Sequence, residues 1–201
     1  MRANQKLNSI MKRFLLSIAI LAAAVAVATG CSSQRRWNDK ERRELRKEIK
    51  AYRDMAYLDN LAEVEFDLFS GDVVEAIEID YPVYTTFVEM PGRGDTVEVY
   101  VVSMIVNQLQ TDAHNMRNIY PYPWLVAQGI LPSGLNHQAQ RAFYECFARK
   151  VNNYFNSTAA FFNAVVNDTA PDVAITNMQM QCAADLFDWG VEIDETVIIG
   201  E

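Results

Sequence analysis

Thr96-Val97-Glu98-Val99-Tyr100-Val101-Val102-Ser103-Met104-Ile105-Val106 is the stretch on which the fold reading turns. Val97, Val99, Tyr100, Val101, Val102, Ile105 and Val106 are β-branched or aromatic, types that fit a pleated surface, so the stretch is expected to be a strand. Upstream, Val83-Tyr84-Thr85-Thr86-Phe87-Val88 has the same character. Between them lies Pro91-Gly92-Arg93-Gly94-Asp95, a turn by composition, because glycine takes positive φ without steric cost. The three pieces together predict a β-hairpin. Val73 to Ile79 is a further strand candidate, although the spacing of Val74, Ala76 and Ile77 also permits helix.

Working outward, the flanks are helical by pattern. On the N-terminal side, Leu45, Ile49, Tyr52, Met55, Ala56, Leu58, Leu61 and Ala62 recur at helical spacing, with Asn38 or Asp39 as N-cap. This predicts one long helix over 39–67, its first half exposed and its second half docked. On the C-terminal side, short helices are expected over 112–119 and from Pro123 to about Gly129. A longer one starts at Asn136 and carries Ala139, Phe143, Phe147 and Val151 on one row. A break at Asn156-Ser157 precedes an apolar face of Phe161, Phe162, Val165 and Val166. Asp172 to Trp189 reads as the last helix, and Val191 to Ile199 alternates like an edge strand. The expected class is α+β: a long N-terminal helix and a small antiparallel β-hairpin sheet packed against several helices.

The chain has 201 residues and a formal charge of −8, which argues against a nucleic-acid partner. That charge is divided unevenly. Residues 1–30 hold four basic side chains and no acid; residues 31–53 have a net charge of +5, and residues 54–201 a net of −17. The segments read as a cleaved signal peptide (1–30), a basic tether or helical stalk (31–53) and a single acidic globular domain (54–201).

Lys12 and Arg13 precede an apolar run from Phe14 to Val27, which is short for a membrane span and fits a secretory signal. The run ends in Ala28-Thr29-Gly30-Cys31. This resembles the lipobox of bacterial lipoproteins, although Ala28 stands where leucine is commonest. The resemblance covers residues 11–31. It implies that Cys31 carries a diacylglyceryl group and becomes the acylated N-terminus after cleavage. Two or more acyl chains anchor a protein stably without spanning the bilayer. Met11 also makes a natural start, which would leave residues 1–10 outside the translated chain. Ser32 after the cysteine, and Gln34, Arg35 and Arg36 in place of acids, imply the outer membrane and its periplasmic face. The alternative is a hydrophobic helix that stays in the membrane. The basic tether, with Arg35, Arg36, Arg42 and Arg43, is expected either to touch anionic lipid or to be a solvated helix face.

No catalytic motif, metal site or cofactor signature is legible in the body. Cys146 and Cys182 are the thiols left after lipidation of Cys31. They read either as a disulfide, which persists in an oxidising compartment, or as two buried free cysteines. Met178-Gln179-Met180-Gln181-Cys182 has soft ligands, but on a helix Met180 points away from the other two, so core packing is the plainer reading. His114 and His137 have no recognised motif around them; a Cys146–His pair or an Asp112–His114 base is set against ordinary packing. The clusters Glu75, Glu78, Asp80 and Asp185, Asp188, Glu192, Asp194, Glu195 read as a solvated acidic surface. Tyr120-Pro121-Tyr122-Pro123-Trp124 is the most unusual local segment. Tyr120, Tyr122 and Trp124 are candidate ligand contacts, with faces suited to sugar rings or proline, against the plainer reading of a packed loop. Arg93-Gly94-Asp95 matches the tripeptide that integrins recognise, at an expected hairpin tip. Asp95-Thr96-Val97 and Asp168-Thr169-Ala170 resemble a bacterial O-glycosylation pattern, which would modify Thr96 and Thr169.

These readings converge on a lipid-anchored envelope lipoprotein, a non-catalytic binding or assembly component facing the periplasm. Its partners would be membrane lipid, through Cys31, and an envelope protein or glycan. The alternatives are an envelope-polymer hydrolase that uses carboxylates near the Tyr-Pro-Tyr-Pro-Trp segment, and a surface adhesin or glycan-binding module.

Overall fold

The computed structural model describes residues 34–190, so the signal segment, Cys31 and the expected edge strand Val191 to Ile199 lie outside the described residues. The described chain is all-α. Eight α-helices run in order: α1 Asp39–Ile49, α2 Glu63–Asp80, α3 Tyr84–Glu89, α4 Arg93–Thr111, α5 Tyr122–Ala127, α6 His137–Phe155, α7 Thr158–Val166 and α8 Asp172–Phe187. Two 3-10 turns, Lys50–Tyr52 and Ala113–Asn118, supplement them. Among the described residues there is no strand, only one isolated antiparallel bridge between Arg36 and Val83.

The α+β expectation is therefore corrected, and Thr96–Val106 shows why. Read in alternation, Val97, Val99 and Val101 share a face. In the structure Val97 and Val101 are buried at 2% and 0% exposure, whereas Val99 is 61% exposed. The face that is covered is the helical one, Val97, Val101, Ile105 and Leu109 at intervals of four. Valine in a helix costs only a few tenths of a kcal/mol relative to better helix formers. Burying a side chain of that size contributes about 1.5–3 kcal/mol, so tertiary packing overrides the local preference. The supposed turn becomes a helix start: Gly92 takes φ 73° as N-cap, and Arg93, Gly94 and Asp95 form the first turn. Asp95 there lies near the positive end of the helix dipole. Val83–Val88 falls in α3, whose Phe87 is buried. Val73–Ile79 belongs to α2, where Phe66, Phe69, Ser70, Val73, Val74 and Ile77 follow the helical period inward.

The single long N-terminal helix is corrected too. It is broken between Ile49 and Glu63. Tyr57 adopts φ 83°, a conformation costly for a bulky residue. Its ring is buried and its hydroxyl donates to Gln108 Oε1 at 2.6 Å. Arg53 holds the same corner by donating to the carbonyls of Leu58 and Leu61, with its guanidinium 4.6 Å from the Phe66 ring centroid. The turn lets α1 fold back along α2, with Leu45 and Ile49 in the core.

The N-terminal caps follow the sequence closely. Asn38 and Glu41 make a reciprocal capping box on α1. Asn136 caps α6 and Ser157 caps α7, with Asn156 at φ 63° marking the break between them. The interior is centred on α6, which packs on the Ala113–Asn118 turn, α7 and α8 through Phe143, Tyr144, Phe147 and Val151. Cys146 and Cys182 join α6 to α8 in a disulfide. No helix of the described residues is long and apolar enough to cross a membrane.

Candidate functional site

Two hollows draw on the segments singled out by the sequence. The first is a broad groove between α1 and α2, bordered by Arg36, Arg42 and Arg46. The basic residues do not form a positive face there. Arg42 makes two hydrogen bonds to Glu78, at 2.8 and 2.7 Å, and a third to Asp39. The hydrogen bonds from Arg42 hold the Glu78 carboxyl below its usual range. Arg35 pairs with Glu41 at 3.1 Å and lies over the Tyr84 ring. Arg43 is exposed on the outer side of α1. Asp67, Asp72, Glu75 and Glu78 line the same groove, so carboxylates offset its arginines. The tether is not free of the body either. Trp37 donates from Nε1 to the Tyr81 carbonyl at 2.7 Å and packs on Tyr84 and Phe87.

The second hollow is a cavity of about 350 Å³ between the end of α5 and one face of α8. Pro121 and Pro123 set the entry to α5: Pro121 is its N-cap, and Pro123 occupies the first turn, where a missing N–H costs nothing. This turns Tyr120 and Trp124 toward each other, with ring centroids 5.9 Å apart and planes inclined at 44°. The Tyr120 ring rests edge-on against Phe147, and burial, reinforced by the Asp172 charge, pushes its hydroxyl pKa up to about 12. Trp124 is 43% exposed at the rim. Gly129, at φ 71°, ends the α5 segment, and its carbonyl accepts from Trp189 Nε1 at 3.1 Å. From α8 come Asp172, Thr176 and Gln179, and from the α5 end Gln128.

Gln179 is the unusual member. It is fully buried, and neither its Oε1 nor its Nε2 has a hydrogen-bond partner. An unpaired amide in an apolar interior costs on the order of 1–3 kcal/mol by protein mutational measures. No lysine, arginine or histidine of the described residues lines the cavity, and Asp172 is its one carboxylate among them. Glycoside hydrolysis by the usual route needs two carboxylates flanking the bond. The cavity is built to hold an uncharged polar ligand against aromatic faces rather than to cleave one.

The structure brings together two of the three aromatic contacts expected from the sequence. Tyr122 turns away: its hydroxyl donates to the Pro132 carbonyl and accepts from the Leu135 N–H, both at 2.9 Å, which ties down the loop before α6. Gln179, Gln128, Thr176 and Asp172 were not foreseen. The signal for Gln179 was present, since Ile175, Gln179 and Ala183 fall at intervals of four on the buried stripe of α8. Attention to Met178 and Met180 as soft ligands obscured it. Met178 is buried and Met180 is half-exposed, on different sides of the helix, and the Cys182 sulfur is engaged in the disulfide. Among the described residues no cluster of His, Cys, Asp or Glu has the makings of a metal site.

The remaining candidates resolve into local roles. Asp112 accepts the His114 backbone N–H at 3.0 Å and binds Arg141 through both oxygens. It caps a turn and does not orient the imidazole. Those contacts, the backbone N–H first, lower its pKa. Arg93 pairs with Glu48 and stacks over Phe87, so Arg93-Gly94-Asp95 is a helix start and not a presented loop tip. Thr96 donates to the Gly92 carbonyl within that first turn, not from a strand. Thr169 lies exposed in the turn between α7 and α8, its hydroxyl 3.3 Å from the Ala164 carbonyl. Compared with protein-family models, with curated proteins and with solved structures, the chain has no match.

Proposed function

We propose that the protein is a lipid-anchored, non-catalytic binding component of a bacterial cell envelope, held through Cys31 on the periplasmic face of the outer membrane. The observation that carries the binding reading is the α5–α8 cavity, with its two aromatic faces and its buried, unpartnered Gln179 amide. The anchoring reading rests on the likeness of Ala28-Thr29-Gly30-Cys31 to a lipobox. Trp37 stands six positions after Cys31, so the chain between them reaches about 20 Å at full extension. The body is thereby held against the headgroup layer with no long stalk.

The test is membrane partitioning after metabolic labelling with a clickable palmitate analogue. The wild-type chain takes up label and partitions with the membrane. Cys31→Ala takes up none and moves to the soluble fraction. Unchanged membrane partitioning of unlabelled Cys31→Ala overturns the anchor.

A further inference from the structure

We propose that the α5–α8 cavity binds a neutral saccharide unit, with the Tyr120 and Trp124 faces against the sugar ring and the Gln179 amide bridging neighbouring hydroxyls. This rests on the binding reading above and names its ligand class.

The argument begins with the amide. Buried polar groups in folded proteins are almost always paired, so a primary amide left with neither donor nor acceptor satisfied requires an absent partner. That partner has to offer an acceptor to Nε2 and a donor to Oε1 side by side. Vicinal hydroxyls do so, since each hydroxyl both donates and accepts. Thr176, Gln128 and Asp172 extend the same chemistry around the rim.

The aromatic pair supplies the second half. Ring faces carry negative quadrupole charge and attract the weakly positive C–H groups of an apolar ring face. A pyranose offers one such face and an equatorial fringe of hydroxyls, which matches a cavity with aromatics on one side and amides on the other. The volume of about 350 Å³ is at the low end for ligand sites, enough for a single ring or the end of a chain. Charge narrows the class further. With no cation in the lining and Asp172 present, a phosphorylated or carboxylated sugar is disfavoured against a neutral one. A peptide is the competing ligand. Strand addition needs a sheet edge, and the described residues contain none.

The test uses the full chain, purified from membranes in a sulfobetaine detergent that has no sugar headgroup. It is applied to a printed array of neutral and acidic bacterial oligosaccharides and to a parallel array of tripeptides. The expected result is binding of neutral oligosaccharides, with the acidic counterparts weaker. Trp124→Ala and Gln179→Met should each weaken that binding about tenfold, the scale of one lost hydrogen-bonding or stacking contact. Gln179→Met should also raise Tm, because it removes the unpaired amide at nearly constant volume. Trp124 is half-exposed, so its variant keeps the fold and carries the test alone if Gln179→Met does not fold. Absence of neutral-glycan binding by the folded wild-type chain overturns the proposal. So does glycan binding indifferent to the variants, which places the ligand elsewhere and leaves Gln179 to a trapped water. Tripeptide binding that depends on Gln179 overturns the saccharide class while sparing the binding reading. Release of reducing sugar from the bound glycan would overturn the non-catalytic reading and leave the ligand class standing.

Discussion

His114 and Asn38 show how single side chains set the conditions under which this fold is stable. Burial, with Arg117 and Arg141 nearby, lowers the His114 pKa below its ordinary 6.5, and Nδ1 is buried without a partner. The unfolded chain therefore takes up a proton at a higher pH than the native one does. Stability contributed by the neutral imidazole is present above about pH 6.5 and is lost as pH falls toward the native pKa. Urea unfolding at pH 5 and pH 8 should show lower stability at the acid value, and His114→Gln should reduce the difference. An undiminished difference would place the titrating group elsewhere. At the other end of the molecule, Asn38 Oδ1 accepts from the Lys40 and Glu41 N–H groups. Asn38→Ala should cost about 1 kcal/mol in the same assay, the usual penalty for losing an N-cap.

At the level of elements, α4 is the helix to interrogate. The strand reading of Thr96–Val106 and the helix that exists make opposite demands on Val99 and Val101. In the helix Val101 is buried and Val99 faces solvent. Val101→Ala should destabilise by about 2 kcal/mol through the methyls removed and the space left behind. Val99→Ala should fall within about 0.5 kcal/mol of wild type. Equal losses at both sites would restore the hairpin. The join between α6 and α8 makes a second test. The Cys146–Cys182 link closes a loop of 36 residues, and in the chain-entropy model such a constraint stabilises by about 3–4 kcal/mol. Cys146→Ala with Cys182→Ala should lower the denaturant midpoint accordingly. It should also loosen the α8 wall of the saccharide cavity, weakening ligand more than Tm alone accounts for.

Seen whole, the molecule is an acidic helical body whose packing begins almost at its anchor. The +5 segment of residues 31–53 is absorbed into the body through Trp37, Leu45 and Ile49, and Arg42 is bound to Glu78. Adhesion of this segment to anionic lipid should accordingly be weak. Vesicles with 30% phosphatidylglycerol should bind the Cys31→Ala chain no better than neutral vesicles do at about 0.15 M salt, where charges beyond about 8 Å are screened. Strong salt-sensitive binding would show that Arg35, Arg36 and Arg43 act together despite the neighbouring carboxylates.

The sequence by itself determined what depends on neighbours along the chain. The lipobox-like run, the caps at Asn38, Asn136 and Ser157, and the break at Asn156 need only adjacent residues to be recognised. Tyr120 and Trp124 were legible for the same reason, since the prolines around them constrain the backbone locally. Tertiary structure alone decided between strand and helix for Thr96–Val106. An apolar, β-branched run suits either period, and only the neighbours that cover Val101 and leave Val99 bare make the choice. It likewise decided that Arg42 would meet Glu78, 36 positions away, and that Gln179 would be sealed beside Tyr120 and Trp124. Such pairings arise where α1 folds onto α2 and α8 onto α5, and contacts between residues that distant are set by how the helices stack.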